Sequence, residues 1–367
     1  MSIKLINIIL LLPVILTACR SGEKSFNEEN WQKTVAGTDR EKLYADHYRD
    51  GRYFNPWLPM GSKGFRNLLK WKLTADPEYT EEEEQYLPEF IPDAYERIIK
   101  SGNRDLVVWI GHNTFLLRIH GTYWITDPMF STRALLPKRK LPPALTTSEL
   151  NALAPRINVI ISHNHYDHLD KKSVKAMPGS SRFFVPVGMK KLLAEWTQGT
   201  VQELDWWQSV NCGNGFTLTC LPAQHWSKRI NRGTNKTLWA SFLLSGRDLK
   251  IYFGGDSGYF RGYSEFGKKF SSIDYAFIPV TAYHPRWFMH YAHINADEAL
   301  KAFSDLGAGY MIPTQWGTFR LGDNPAGYPA LDLKNKIRER KLDPSKIIIM
   351  DIGEIVFLKN RSVKAVR

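Results

Sequence analysis

From about residue 105 the chain alternates short apolar runs, rich in β-branched and aromatic residues, with polar segments. Strands are predicted at 157–161, 216–221, 249–253, 275–280 and 310–312, and helical periodicity intervenes at 187–197, 296–306 and 331–341. Strands interspersed with helices predict an α/β class with mixed sheets. Residues 19–104 are polar and aromatic without a sustained strand period and include the acidic run 81–84. They predict an N-terminal extension packed on a core domain of 105–367. Within that extension Phe65, Leu68, Leu69, Trp71 and Leu73 alternate with Lys63, Arg66, Lys70 and Lys72. That composition suits either a membrane interface or an amphipathic helix lying on the core.

The first 18 residues read as a signal peptide: one early base, Lys4, an apolar run over 6–16 broken by Pro13, then Leu16-Thr17-Ala18-Cys19. The run is too short to span about 30 Å of hydrocarbon as a helix, and small residues stand where a peptidase cuts. The pattern resembles that of bacterial lipoproteins, which implies lipidation of Cys19 and anchoring in the cell envelope. Arg20, rather than Asp, follows that cysteine and points to the outer membrane, facing the periplasm, rather than to the inner one.

Composition narrows the picture. Three cysteines in 367 residues exclude a disulfide-stapled miniprotein, and 43% hydrophobic residues exclude a disordered chain. A net charge of +12 suits an acidic partner such as membrane phosphates. The bases are interspersed with 37 carboxylates rather than clustered, which with export argues against nucleic acid. Cys212 and Cys220 could sit on facing strands of a hairpin, but spacing does not report the Cα geometry that a disulfide demands, so their pairing stays open.

The strongest chemical signal is His163-x-His165-x-Asp167-His168, three imidazoles and a carboxylate directly after a predicted strand. Alternation would place His163, His165 and Asp167 on one side of an extended segment, and a turn would let His168 join a second metal. Nitrogen and oxygen donors suit zinc, with iron or manganese as alternatives. Two further donors follow distant strands: His225, and Asp256 after a Gly-Gly pair that lets backbone approach closely. The predicted strands ending near 280 and 312 lead to His284 and Gln315.

The motif followed by His225 and Asp256 resembles the ligand order of metallo-β-lactamase-fold hydrolases. It resembles most the N-acylphosphatidylethanolamine-hydrolysing phospholipase D group, through Trp109-Ile110-Gly111-His112, Thr126-Asp127-Pro128, the SHNHYDHLD segment at 162–170 and LDWW at 204–207. Gln224-His225-Trp226, Gly255-Asp256-Ser257-Gly258-Tyr259, the AYHPRWFM segment at 282–289 and Trp316-Gly317-Thr318-Phe319 continue the likeness. The resemblance implies a four-layer αββα sandwich. It also implies one zinc held by His163, His165 and His225, a second held by Asp167 and His168, and Asp256 bridging both. His293 corresponds to a family histidine beside the site, acting as a hydrogen-bond or acid/base partner. The implied activity is a zinc-dependent phosphodiesterase of phospholipase D type, in which a metal-bound hydroxide attacks an N-acylphosphatidylethanolamine-like phospholipid presented by a membrane.

One position departs from the group. Gln315 stands where the resemblance places the last histidine ligand of the second metal, and a neutral amide is a poorer zinc ligand than imidazole. The resemblance therefore implies one or two zinc ions per chain, with Gln315 an uncertain ligand and His284 and His290 the nearby histidines. Two other functions stay open: a lactonase-like or soluble-phosphodiester metallo-hydrolase, since fold does not fix substrate, and a non-catalytic metal-binding lipoprotein. A homodimer is also compatible. His112 and Asp127 are expected either to support ligands from outside, the Asp127 carboxylate orienting a ligand histidine, or to be structural, and His47 and His120 to lie on the surface.

Overall fold

The computed structural model describes residues 26–61, 65–73 and 77–359. The signal segment 1–18 and Cys19 lie outside the described residues. Thirteen strands build two stacked sheets. In chain order they are β1 Leu106–Gly111, β2 Thr114–Ile119, β3 Thr122–Thr126, β4 Asn158–Ile160, β5 Arg182–Pro186, β6 Thr200–Leu204 and β7 Ser209–Gly213. Then follow β8 Phe216–Leu221, β9 Ser241–Ser245, β10 Lys250–Phe253, β11 Tyr275–Pro279, β12 Tyr310–Thr314 and β13 Ile355–Phe357. The first sheet has the order β13-β1-β2-β3-β4-β5-β6 and the second β12-β11-β10-β9-β8-β7. Each is antiparallel through one half and parallel through the other, at β3-β4-β5-β6 and β10-β11-β12.

Alternation within single strands explains the layering. In β1, Val107 and Trp109 enter the core between the sheets, whereas Leu106, Val108 and Ile110 enter a second core beneath helices. That outer core is closed by Ile98, Leu150, Val174 and Leu193 of helices Ala94–Lys100, Thr147–Leu153, Lys171–Ala176 and Lys190–Ala194. On the far side of the second sheet, helix Ala296–Leu306 packs on β11 and against helices Gly262–Phe270 and Tyr328–Glu339. The result is a four-layer αββα sandwich in which both faces of each sheet are covered.

Local sequence sets these elements. Helix Ala296–Leu306 starts at a reciprocal capping box between Asn295 and Glu298 and ends at Gly307 with φ 59°. The helix expected at 187–197 is shorter, Lys190–Ala194: Trp196 and Thr197 close a turn back onto the Leu193 carbonyl, and the chain then enters β6. Cys212 and Cys220 are both free. Their strands do pair, but Thr219 faces Ser209 while Phe216 faces Gly213, so the two cysteines sit several residues apart along the hairpin, beyond disulfide reach.

The described residues within 26–104 contribute no strand to either large sheet and are held by aromatic anchors. Trp31 Nε1 donates to Glu298 Oε1 at 3.0 Å, Trp57 stacks on Phe260, and Trp71 stacks on Phe288 and donates to Asp323. Leu69 and Leu73, on the same helix as Trp71, stay exposed. Among the described residues no helix is long and apolar enough to cross a membrane.

Candidate metal centre

The carboxyl ends of the parallel strands of both sheets meet at one edge of the sandwich, where such sheets place their sites. β4 leads into the segment 162–170, β10 into Asp256 and β12 into Gln315, while the antiparallel β8 delivers His225. The segment after β4 is a tight turn, with His168 and Leu169 amides donating to the His165 carbonyl. Asp170 caps the following helix. Arg229 clamps the turn from outside, its Nη1 donating to the carbonyls of Asn164 at 2.9 Å and Leu169 at 2.8 Å. Gly255 has φ 59°, and a Cβ there would stand 2.6 Å from Ser162 Cβ, so only glycine lets β10 come this close to the turn.

Two donor groups result. In the first, the ligand-type atoms of His163, His165, His225 and Asp256 all lie within 4.8 Å of one another. His165 Nδ1 is 2.8 Å from His163 Nε2 and 3.2 Å from His225 Nε2. Asp256 Oδ2 is 3.4 Å from His225 Nε2 and 3.8 Å from His163 Nε2. The second group contains His112, Asp167 and His168. Asp167 Oδ2 is 3.0 Å from His112 Nε2 and 3.2 Å from His168 Nε2, and the latter is 3.4 Å from Asp256 Oδ1. Asp256 thus turns one oxygen to each group.

The surrounding hydrogen bonds fix which nitrogens carry protons. His225 Nδ1 meets the Ala292 carbonyl at 3.2 Å, which can only accept, so Nε2 presents a lone pair to the site. Ser162 Oγ donates to Asp127 and so accepts from His163 Nδ1, with the same consequence for His163 Nε2. His168 Nδ1 is 2.7 Å from Asp127 Oδ2, which also receives Asn113 Nδ2. This carboxylate–histidine arrangement is the usual support of a metal-binding imidazole.

Electrostatics agree with a cation site. Asp127, Asp167 and Asp256 are three carboxylates at the centre, and among the described residues no Lys or Arg forms an ion pair with any of them. Burial holds His163 and His225 well below the usual imidazole range and His165 down to about 4, so these rings are neutral donors. Burial lowers His168 too, but Asp256, Asp167 and Asp127 overcome it and raise that ring well above its usual value. Burial also opposes ionisation of Asp256 and Asp167, yet the neighbouring histidines, His168 foremost, hold both well below the carboxylate range. Nε2 of His168 and Oε1 of Gln315 are buried without hydrogen-bond partners. Converging lone pairs, excess carboxylate charge and unpartnered polar atoms fit one or two metal ions.

His293 stands beside the first group, its ring 5.5 Å from that of His225, and Arg286 donates to its carbonyl. Gln315 lies within the site, but its Nε2, a donor, points to Gly255 O at 2.9 Å and Asp256 Oδ1 at 2.5 Å. His284 and His290 do not join either group: His284 Nδ1 meets Tyr79 Oη at 2.6 Å, and His290 packs against Phe26 and Trp31. His47 pairs with Asp205 and His120 with Asp248, both away from the site. His112, expected only outside the ligand shell, is placed by the β1–β2 turn within reach of a metal.

Residues 122–316, more than half of the chain, match the beta-lactamase superfamily domain. The chain belongs to the beta-lactamase superfamily. N-acyl-phosphatidylethanolamine-hydrolyzing phospholipase D 1 of Caenorhabditis elegans is 34% identical over 270 residues, covering 67% of this chain and 74% of that protein. An uncharacterized protein of Mycobacterium tuberculosis is 36% identical over 301 residues, 78% of each chain. Among solved structures, a possible metal-dependent hydrolase from Veillonella parvula shares the fold, with a TM-score of 0.58, 16% identity and coverage of 70% of this chain and 100% of that one. This beta-lactamase superfamily member is a metal-dependent hydrolase, and its motif resemblance to the phospholipase group extends to overall sequence identity.

Proposed function

We propose that the chain is a zinc-dependent phosphodiesterase of phospholipase D type, hydrolysing N-acylphosphatidylethanolamine-like phospholipids to phosphatidic acid and N-acylethanolamine. The observation that carries the reading is Asp256, whose Oδ2 faces His163 and His225 while Oδ1 faces His168. A carboxylate shared by two nitrogen-rich donor groups suits a paired-metal centre, which is suited to phosphodiester hydrolysis. Zinc bound there would supply an acidified water and neutralise charge developing on a phosphoryl group.

The chain's own residues do the rest. His163, His165 and His225 would offer neutral nitrogens to one ion, Asp167 and His168 would hold the other, and Asp256, which faces both groups, would serve each. His293, with its carbonyl held by Arg286, stands beside His225 as the proton-transfer partner for the leaving alcohol. The substrate class rests on the likeness to the C. elegans N-acyl-phosphatidylethanolamine-hydrolyzing phospholipase D and on a net charge of +12 that favours anionic surfaces. Exposed Leu69 and Leu73 beside Lys70 and Lys72 on helix Phe65–Leu73 suit an interface, and acylated Cys19 would anchor the chain to the envelope, on the periplasmic face of the outer membrane.

A substrate panel tests the reading. N-acylphosphatidylethanolamine in mixed micelles, a soluble bis(phosphodiester) and an acyl-homoserine lactone are offered at equal concentration to the mature protein. The expected preference is for the phospholipid, with phosphatidic acid as product; turnover confined to the lactone or the soluble diester would replace this reading.

A further inference from the structure

We propose that His112 is a direct ligand of the second metal and that Gln315, at the position where the resemblance places an imidazole, instead positions Asp256. The inference rests on the metal-dependent reading above and assigns the donors of its second site.

Gln315 presents a donor to Asp256, while its Oε1 is buried without a hydrogen-bond partner. Its amide nitrogen is turned towards the bridging carboxylate, 2.5 Å from Asp256 Oδ1, and towards Gly255 O, which holds the side chain in place as a donor. Its backbone amide, at φ 73°, donates to the His112 carbonyl at 3.1 Å. The residue that lost the imidazole therefore touches the residue that can supply one.

His112 has what Gln315 lacks. It is fully buried, and its Nε2 shares Asp167 Oδ2 with His168 Nε2, at 3.0 and 3.2 Å. With Asp256 Oδ1 beside His168, the cluster offers two imidazole nitrogens and two carboxylate oxygens, a complete four-donor set for zinc. His112 Nδ1 is buried with no partner, so the ring's polar contact is the one that Nε2 makes inside the second group. The backbone is forced to deliver it. His112 has φ 54°, and the strain is held by Thr318 Oγ1 accepting from its amide at 2.6 Å and Trp109 Nε1 donating to its carbonyl at 2.9 Å.

Zinc content decides the matter. The mature protein, His112→Asn and Gln315→Ala are dialysed against saturating free zinc and analysed for bound zinc. Asn tolerates a left-handed backbone, so the turn is kept. Two equivalents are expected in the wild type and in Gln315→Ala, and one in His112→Asn. Two equivalents in His112→Asn would overturn the assignment, because loss of a residue that merely orients a ligand weakens affinity about 10–100-fold without removing the site. One equivalent in the wild type would overturn it while leaving the first site standing, and none would overturn the metal reading itself. X-ray absorption of the unmutated zinc protein needs no variant: all five imidazoles of the two groups bound to zinc support the assignment, and four overturn it.

Discussion

Asp127 Oδ2 lies 2.7 Å from His168 Nδ1, and neither side chain is exposed to solvent. The same carboxylate receives Ser162 Oγ and Asn113 Nδ2, so one residue at the end of β3 orients a ring on a different loop. Asp127→Asn keeps the volume but cannot serve as acceptor to all three donors. Zinc affinity at the second site is expected to fall about 10–100-fold, with a smaller fall at the first, whose His163 is held through Ser162, read by titration against a competing chelator. Unchanged affinity at both sites would contradict this role.

His165 contributes Nδ1 to the first group, between His163 Nε2 and His225 Nε2. His165→Ala removes the donor that joins the other two. The expected result is loss of the first zinc equivalent together with turnover, seen by elemental analysis and product release. Full turnover in a variant lacking that metal would sink the mechanism.

Arg286 reaches Glu298 Oε2 at 3.0 Å, and Glu298 is 2% exposed. Burial pushes the Glu298 carboxyl up to about 7 even with Arg286 opposing it. Arg286→Ala leaves a buried carboxylate without its charge partner and is expected to cost about 3–5 kcal/mol in urea unfolding at pH 8. Adding Glu298→Gln should recover part of that loss, since an amide needs no counter-charge. A single variant as stable as the wild type would show that the pair carries no such weight.

Burial, with Arg286 repelling, holds His284 down to about 4 from 6.5, and its neutral ring meets Tyr79 Oη at 2.6 Å. A depressed pKa contributes stability that is present above pH 6.5 and lost as pH falls through 4. Allowing for its partial exposure, on the order of 1–2 kcal/mol should disappear over that window. His284→Gln should flatten the fall in Tm between pH 6.5 and 4; an identical pH profile would exclude His284 as its source.

Much of the fold is legible in local pattern. The run 216–221 is β8, and 296–306 is a helix with the same limits, because its capping box and terminal glycine act within the element itself. The ligand motif is legible because its donors are adjacent in sequence. His112 is different. It lies 55 residues from Asp167, in a turn between two buried strands, and only the stacking of the β1–β2 turn against the 162–170 segment brings them together. Its visible sign is a histidine after Trp109-Ile110-Gly111, which does not distinguish a ligand from its support. His284, conversely, follows a strand end of the right kind but is drawn away to Tyr79, a contact no periodicity reports.

Metal-dependent hydrolysis of an N-acylated phospholipid is tested by following the products that the protein makes from N-acylphosphatidylethanolamine micelles in ¹⁸O-labelled water. The expected products are phosphatidic acid carrying one ¹⁸O in its phosphate and unlabelled N-acylethanolamine, with loss of both on chelation and their return with zinc. Labelled N-acylethanolamine with unlabelled phosphatidic acid, or turnover indifferent to chelation, would contradict it.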